Sequence, residues 1–201
     1  MVDTVRSRSD LLTSLFADGQ GAGEITPQDM RDLIVSTYGI TGWGDYTDTE
    51  YSSGSPQSIT GGSYVTLQNN AGTKREQELP LDVSSFYDAT TDSIVGNAGD
   101  GIMVTIEFDL RRASATSDYG IEVTIDIGEE GVTEILLYNR TYVLDGSIDS
   151  RITITTGAYT LDTWEANGGR VKINATVDIE VWGARIIIHR VHKGQGIYPP
   201  A

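Results

Sequence analysis

The residues of this chain whose types and spacing can do chemistry are its carboxylates, its two histidines and its three tryptophans. Close acidic groupings recur: Asp45, Asp48 and Glu50; Asp88 and Asp92; Glu129 and Glu130; Asp145 and Asp149. Such groupings can chelate calcium or act as the acid and base of glycoside hydrolysis. With 29 acidic residues in the chain, however, these spacings also arise from composition alone, and none follows an EF-hand loop. His189 and His192 stand three apart in a strand-like run, so they point to opposite faces and do not converge on a metal. The glycine-rich stretch from Gly19 to Glu24 follows no strand and carries no lysine, which makes it a hinge rather than a phosphate loop. The sequence has no Gly-x-Ser-x-Gly elbow and no cysteine, which removes serine-triad and thiolate chemistry along with disulfides. Trp43, Trp164 and Trp182 can stack on sugars as a ligand platform, although two of them adjoin strand ends, where packing or a subunit interface is the commoner role. We therefore expect no catalytic residue, no cofactor and no metal.

The elements that must position these residues centre on the run Val171–Val191. Val171, Ile173, Ala175, Val177, Ile179 and Val181 alternate with Lys172, Asn174, Thr176, Asp178 and Glu180. A period of two predicts one strand with a buried and a wet face. Trp182 and Gly183 break the rhythm and predict a sharp bend, after which Ile186, Ile187 and Ile188 open a second strand of the same sheet. Ile102 to Leu110 and Ile121 to Ile127 alternate just as cleanly. Val65 to Leu67, Thr133 to Leu144 and Ile152 to Ile154 also read as strands, and Leu79 to Val83, around Pro80, as an edge strand. Many strands with no helical pattern between them predict a mainly β chain, an antiparallel β-sandwich or jelly roll.

The first 44 residues read differently. Leu11, Leu12, Leu15 and Phe16 make one apolar stripe. Thr26-Pro27-Gln28-Asp29 is a strong helix start, and Met30, Leu33 and Ile34 line one face of the helix that follows. Helices this short are marginal alone, so their stripes need another surface. The predicted organisation is a helical attachment segment over 1–44, a polar linker over 45–62 and the sandwich over 63–201.

Composition narrows the partners. A formal net charge of −15 repels a phosphate backbone, so nucleic acid is not expected as a partner. No apolar run approaches the roughly 20 residues that a spanning helix needs, and the N-terminus carries no signal-peptide core, so membrane insertion and secretion are not expected either.

Several blocks resemble virion surface proteins of tailed bacteriophages. Glu24-Ile-Thr-Pro-Gln-Asp-Met-Arg-Asp-Leu-Ile is similar to the short helical motif that opens many of them. Ile125-Asp-Ile-Gly, Tyr159-Thr-Leu-Asp-Thr-Trp-Glu-Ala-Asn-Gly-Gly and Ile186-Ile-Ile-His-Arg-Val-His-Lys-Gly resemble blocks of the trimeric β-sandwich that often follows it. That family more often has Phe where Trp164 stands. The resemblance implies a non-enzymatic structural protein of the virion surface, made in the host cytoplasm: a capsid decoration, a head fibre or a small tail fibre. Its implied partners are further copies of itself in a homotrimer and capsid or tail proteins, with a host surface glycan in the tail-fibre case. A run of three isoleucines at 186–188, with more than one buried face, also fits a trimer.

Overall fold

The computed structural model describes residues 10–11, 25–38, 41–80, 82–114 and 117–193. Of the expected attachment stripe, Leu12, Leu15 and Phe16 lie outside the described residues, and Leu11 sits half-buried in a two-residue described stretch. The helix predicted from Thr26 is present as α1 (Pro27–Tyr38). Its start is a reciprocal cap: the Asp29 N–H donates to Thr26 Oγ1 at 3.2 Å, while the Thr26 N–H donates to Asp29 Oδ2 at 2.7 Å.

Twelve strands follow among the described residues: β1 (Gly42–Thr47), β2 (Gln57–Ile59), β3 (Val65–Thr66), β4 (Thr73–Gln77), β5 (Tyr87–Asp88), β6 (Ser93–Ile94), β7 (Gly101–Arg112), β8 (Tyr119–Asp126), β9 (Leu136–Leu144), β10 (Ser150–Tyr159), β11 (Gly169–Ala175) and β12 (Ile179–His192). One sheet runs β10-β7-β12-β1-β4 with β2 added on β12, and the other runs β5-β6-β11-β8-β9 with β3 added on β11. Taking β1 and β6 to β12 as the principal strands, neighbours in chain order read first-eighth-third-sixth in one sheet and second-seventh-fourth-fifth in the other. That order, antiparallel at every pair, is a jelly roll, as expected. The alternating residues supply the core. Ile102, Val104, Ile106, Phe108 and Leu110 of β7 face Ile121, Val123 and Ile125 of β8 and Val171 and Ile173 of β11 within one buried cluster.

Three parts of the chain depart from the sequence reading. The run Val171–Val191 does not fold as two strands of one sheet bent at Gly183. Ala175 ends β11 in one sheet, Ile179 opens β12 in the other, and the corner lies between them at 176–178. Thr176 Oγ1 accepts the Gly120 N–H at 3.0 Å, and Asp178 Oδ1 accepts the Gly61 N–H at 2.9 Å, which fixes that corner. The alternation passes through the corner unbroken, so periodicity alone does not reveal it. Gly183, at φ +61°, instead sits in a register shift within β12, between Trp182 and Arg185. Ile186 and Ile188 face the core, and only Ile187 turns outward.

The second departure is the expected linker. Gly42–Thr47 is a strand paired between β12 and β4, and Tyr46 and Ile59 belong to the core. Glycines and short polar residues kept its apolar content low, yet Gly44 is needed because a side chain there would meet the Tyr46 hydroxyl at 2.6 Å and its ring at 2.7 Å. The third is Leu79–Val83, which forms no strand among its described residues; the edge strand is β4 just before it. The sequence also gave no sign of a short helix, α2 (Asp162–Asn167), that carries Trp164.

Candidate functional site

The predicted site residues do not converge on one place. Met30 and Ile34 are exposed on α1, at 46% and 50%, while Leu33 is half-buried. The core cluster contains none of the described side chains of this helix. The three tryptophans are separated. Trp164 is fully buried, and its indole N–H donates to the Ile94 carbonyl at 2.9 Å, so it is a core residue and not part of a ligand platform. Gly169 packs so close to that ring that a Cβ there would lie 2.4 Å from it. Trp43 and Trp182 both lie on the outer face of the first sheet, in different rows. Trp43 pairs in register with His189, ring to ring at 6.2 Å, and Trp182 pairs with Asp109 under the Arg111 guanidinium at 5.2 Å.

The acidic groupings serve different partners. Asp45 is held by Arg185 through two bonds of 2.9 and 2.8 Å, and Arg185 reaches Glu107 at 3.4 Å. The Arg185 bonds, working against burial, lower the Asp45 carboxyl. Arg151 extends the ladder to Glu107 at 3.6 Å and Asp109 at 3.5 Å, so ion pairs cross β1, β12, β7 and β10. Asp48 accepts the backbone N–H groups of Glu50, Tyr51 and Asn70 and so shapes a loop.

Two buried ionic clusters were not foreseen. Arg190 points into one end of the sandwich with its side chain fully buried, paired with Asp82 at 2.9 Å and with the equally buried Asp100 at 3.2 Å. Burial raises the Asp82 carboxyl, but hydrogen bonds and charge from Arg190 outweigh it and bring it to about 2. In the second cluster Lys172 bridges Asp126 at 2.9 Å and Glu134 at 2.7 Å, and Arg170 donates to the carbonyls of Asn167 and Gly128. The face of β11 expected to be wet is therefore covered at Arg170 and Lys172, which are 3% and 7% exposed. The only sequence signal was charge on one face of a strong strand, which normally means solvent.

Chemically, these clusters are paired and positioned for stability. One serine does sit beside an oriented carboxylate: Ser85 Oγ donates to Glu76 Oε1 at 2.8 Å, and Lys74 and the Tyr46 hydroxyl hold the same carboxylate at 2.9 and 2.5 Å. Burial raises the Glu76 carboxyl, but the hydrogen bonds from Tyr46, Lys74 and Ser85 outweigh it and lower it, which makes it a weak base for activating a nucleophile. Among the described residues no cluster of three or more His, Cys, Asp or Glu side chains is placed to hold a metal ion.

No family model matches the chain, and no curated relative matches it either. Solved structures that share part of its outline include the following three. The PRD1 vertex protein P5 aligns at 12% identity and a TM-score of 0.41, over 76% of this chain and 99% of that one. The Eiger TNF from S. frugiperda aligns at 6% identity and 0.43, over 81% and 98%. A chain of the sacbrood virus of honeybee aligns at 12% identity and 0.31, over 94% and 90%. These similarities are partial, and a shared outline of this kind assigns no function.

Proposed function

We propose that this chain is a non-enzymatic structural protein of a tailed-bacteriophage virion, a capsid decoration or head-fibre protein that attaches through its N-terminal helical segment. The observation that carries this reading is α1. It is a well-capped amphipathic helix that stands before the jelly roll, has none of its described side chains in the core cluster, and leaves Met30 and Ile34 about half exposed. Such a face is available to bury against another protein. The motif resemblance around Glu24–Ile34 points the same way. The acidic jelly roll then projects as a homotrimer, and the net charge of −15 over the whole chain favours solubility at high copy number. The alternative reading, a receptor- or glycan-binding tail-fibre protein, cannot rest on the tryptophans, since Trp164 is enclosed.

The test is binding to particles assembled without this chain. Replacing Ile34 with Asp puts a charge into the proposed contact, at a cost of several kcal/mol. Arg31→Asp is the control, because Arg31 is exposed in the same helix and its replacement shifts the charge in the same direction by twice as much. The expected outcome is loss of co-sedimentation for Ile34→Asp and its retention for Arg31→Asp. Equal binding of both variants would show that α1 is not the docking surface.

A further inference from the structure

Beside the short strand β3 lie two hollows, the first reaching across to Gln57 and Ser58 of β2. One, of about 410 Å³, is lined by Tyr51, Gln68, Thr90, Thr91 and Asp92, and the other, of about 550 Å³, by Tyr64, Val132, Thr133, Glu134 and Lys172. Both are also lined by Val65, Thr66 and Glu130, so they are two lobes of one groove across β3. Each lobe falls in the size range of small-molecule sites, roughly 300 to 1,000 Å³. Each also carries a half-exposed tyrosine ring.

We propose that this groove binds a neutral oligosaccharide, one sugar ring against Tyr51 and another against Tyr64. The hydrogen-bonding groups suit a polyol. The Tyr51 hydroxyl donates to Gln68 Oε1 at 2.5 Å, which fixes the amide and leaves its NH₂ group as a donor on an exposed residue. Asp92 Oδ1 accepts the Asn69 N–H at 2.8 Å and the Tyr87 hydroxyl at 3.3 Å, leaving Oδ2 to accept from a ligand hydroxyl. Thr90 and Thr91 add hydroxyls that both give and accept. The apolar content, Pro56, Val65, Val132 and the two rings, is enough to cover the C–H face of a sugar but too small for a lipid.

Charge argues against anionic ligands. The one cation among the described lining residues, Lys172, is already held between Asp126 and Glu134, so it is not free for a phosphate, sulfate or sialate. Glu130 lines both lobes, and burial together with the charges of Asp48 and Glu130 raises the Asp92 carboxyl despite its hydrogen bonds. An anionic ligand would meet that repulsion. This inference goes beyond attachment to a particle and does not depend on it, since the groove lies on the sandwich and α1 takes no part in it.

Saturation-transfer NMR on the full chain tests the proposal, with cellotriose, maltotriose and chitotriose as neutral probes and sialyllactose and spermidine as charged ones. The expected result is transfer to at least one neutral trisaccharide, with a Kd of about 1 mM or tighter. Tyr51→Ala and Gln68→Ala should each weaken it by at least about tenfold with the thermal transition unmoved, because both side chains lie at the surface. Gln68→Ala guards against a folding defect, since the Gln68 backbone N–H, which bonds to Gln57 Oε1 at 3.1 Å, is retained. Absence of transfer to every neutral probe, binding unchanged in both variants, or preference for sialyllactose or spermidine would each overturn the proposal.

Discussion

At the scale of single residues, the charges that matter most to this protein are buried and paired. Arg190 neutralises Asp82 and Asp100 inside the sandwich, where an unpartnered charge would be costly. Its removal leaves Asp100, only 1% exposed, without its guanidinium, so Arg190→Met should destabilise the fold by about 3–5 kcal/mol in chemical denaturation. The same pair sets a pH dependence whose sign is fixed. Asp82 ionises at about 2 in the folded protein against 3.8 ordinarily, so its stabilising contribution is complete above pH 4 or so and is lost as pH falls toward 2. The carboxylate is partly exposed, so the contribution is on the order of 1 kcal/mol after screening. Thermal unfolding followed across that window should show the decline in the native chain and a smaller one in Arg190→Met. Equal slopes would remove Arg190 as the cause.

At the scale of elements, two glycines separate packing from conformational freedom. Gly169 opens β11 against the buried Trp164 ring, where an added Cβ lies 2.4 Å from Cζ2 and 2.6 Å from Cε2. Neither the ring, enclosed in the core, nor the strand, paired in the sheet, can withdraw freely. Gly157, in the exposed part of β10, has no atom within 4 Å of its would-be Cβ. Gly169→Ala should therefore cost about 1–3 kcal/mol, while Gly157→Ala should be neutral or stabilising by a few tenths to about 1 kcal/mol. Midpoints of denaturant unfolding check both, and similar losses at the two sites would contradict the packing argument. The indole at Trp164 also satisfies the Ile94 carbonyl, a hydrogen bond that the phenylalanine common in the resembling family cannot make.

At the scale of the whole molecule, the open question is self-association. The isoleucine run does not by itself supply two buried faces, because Ile186 and Ile188 are fully enclosed within the core of one chain. What remains outward on the first sheet includes Ile187, half-buried, with Met103 at 43% exposure and Tyr159 at 48%. Apolar residues on an outer sheet face suit contact with further copies of the chain. Light scattering of the full chain at micromolar concentration should then give three times the chain mass, and Met103→Glu should lower it. A monodisperse monomer for the native chain would end the trimer reading.

The sequence by itself determined the class of fold and its inner surface. The period-two runs of β7, β8 and β12 place the core residues because alternation along a strand is a local property of the backbone. The cap at Thr26 and Asp29 was legible for the same reason, since its bonds span three residues. Tertiary structure alone decided the rest. Whether a charged face of β11 meets water depends on a loop that returns to place Glu134 beside Lys172, 38 residues away, and Arg190 meets Asp82 across 108. The groove at β3 has the same origin, with Tyr51, Gln68 and Asp92 drawn from separate turns of the chain. Polar, glycine-rich stretches carry no periodicity to mark them as strands or as site, so what they become is settled by the surfaces that close around them.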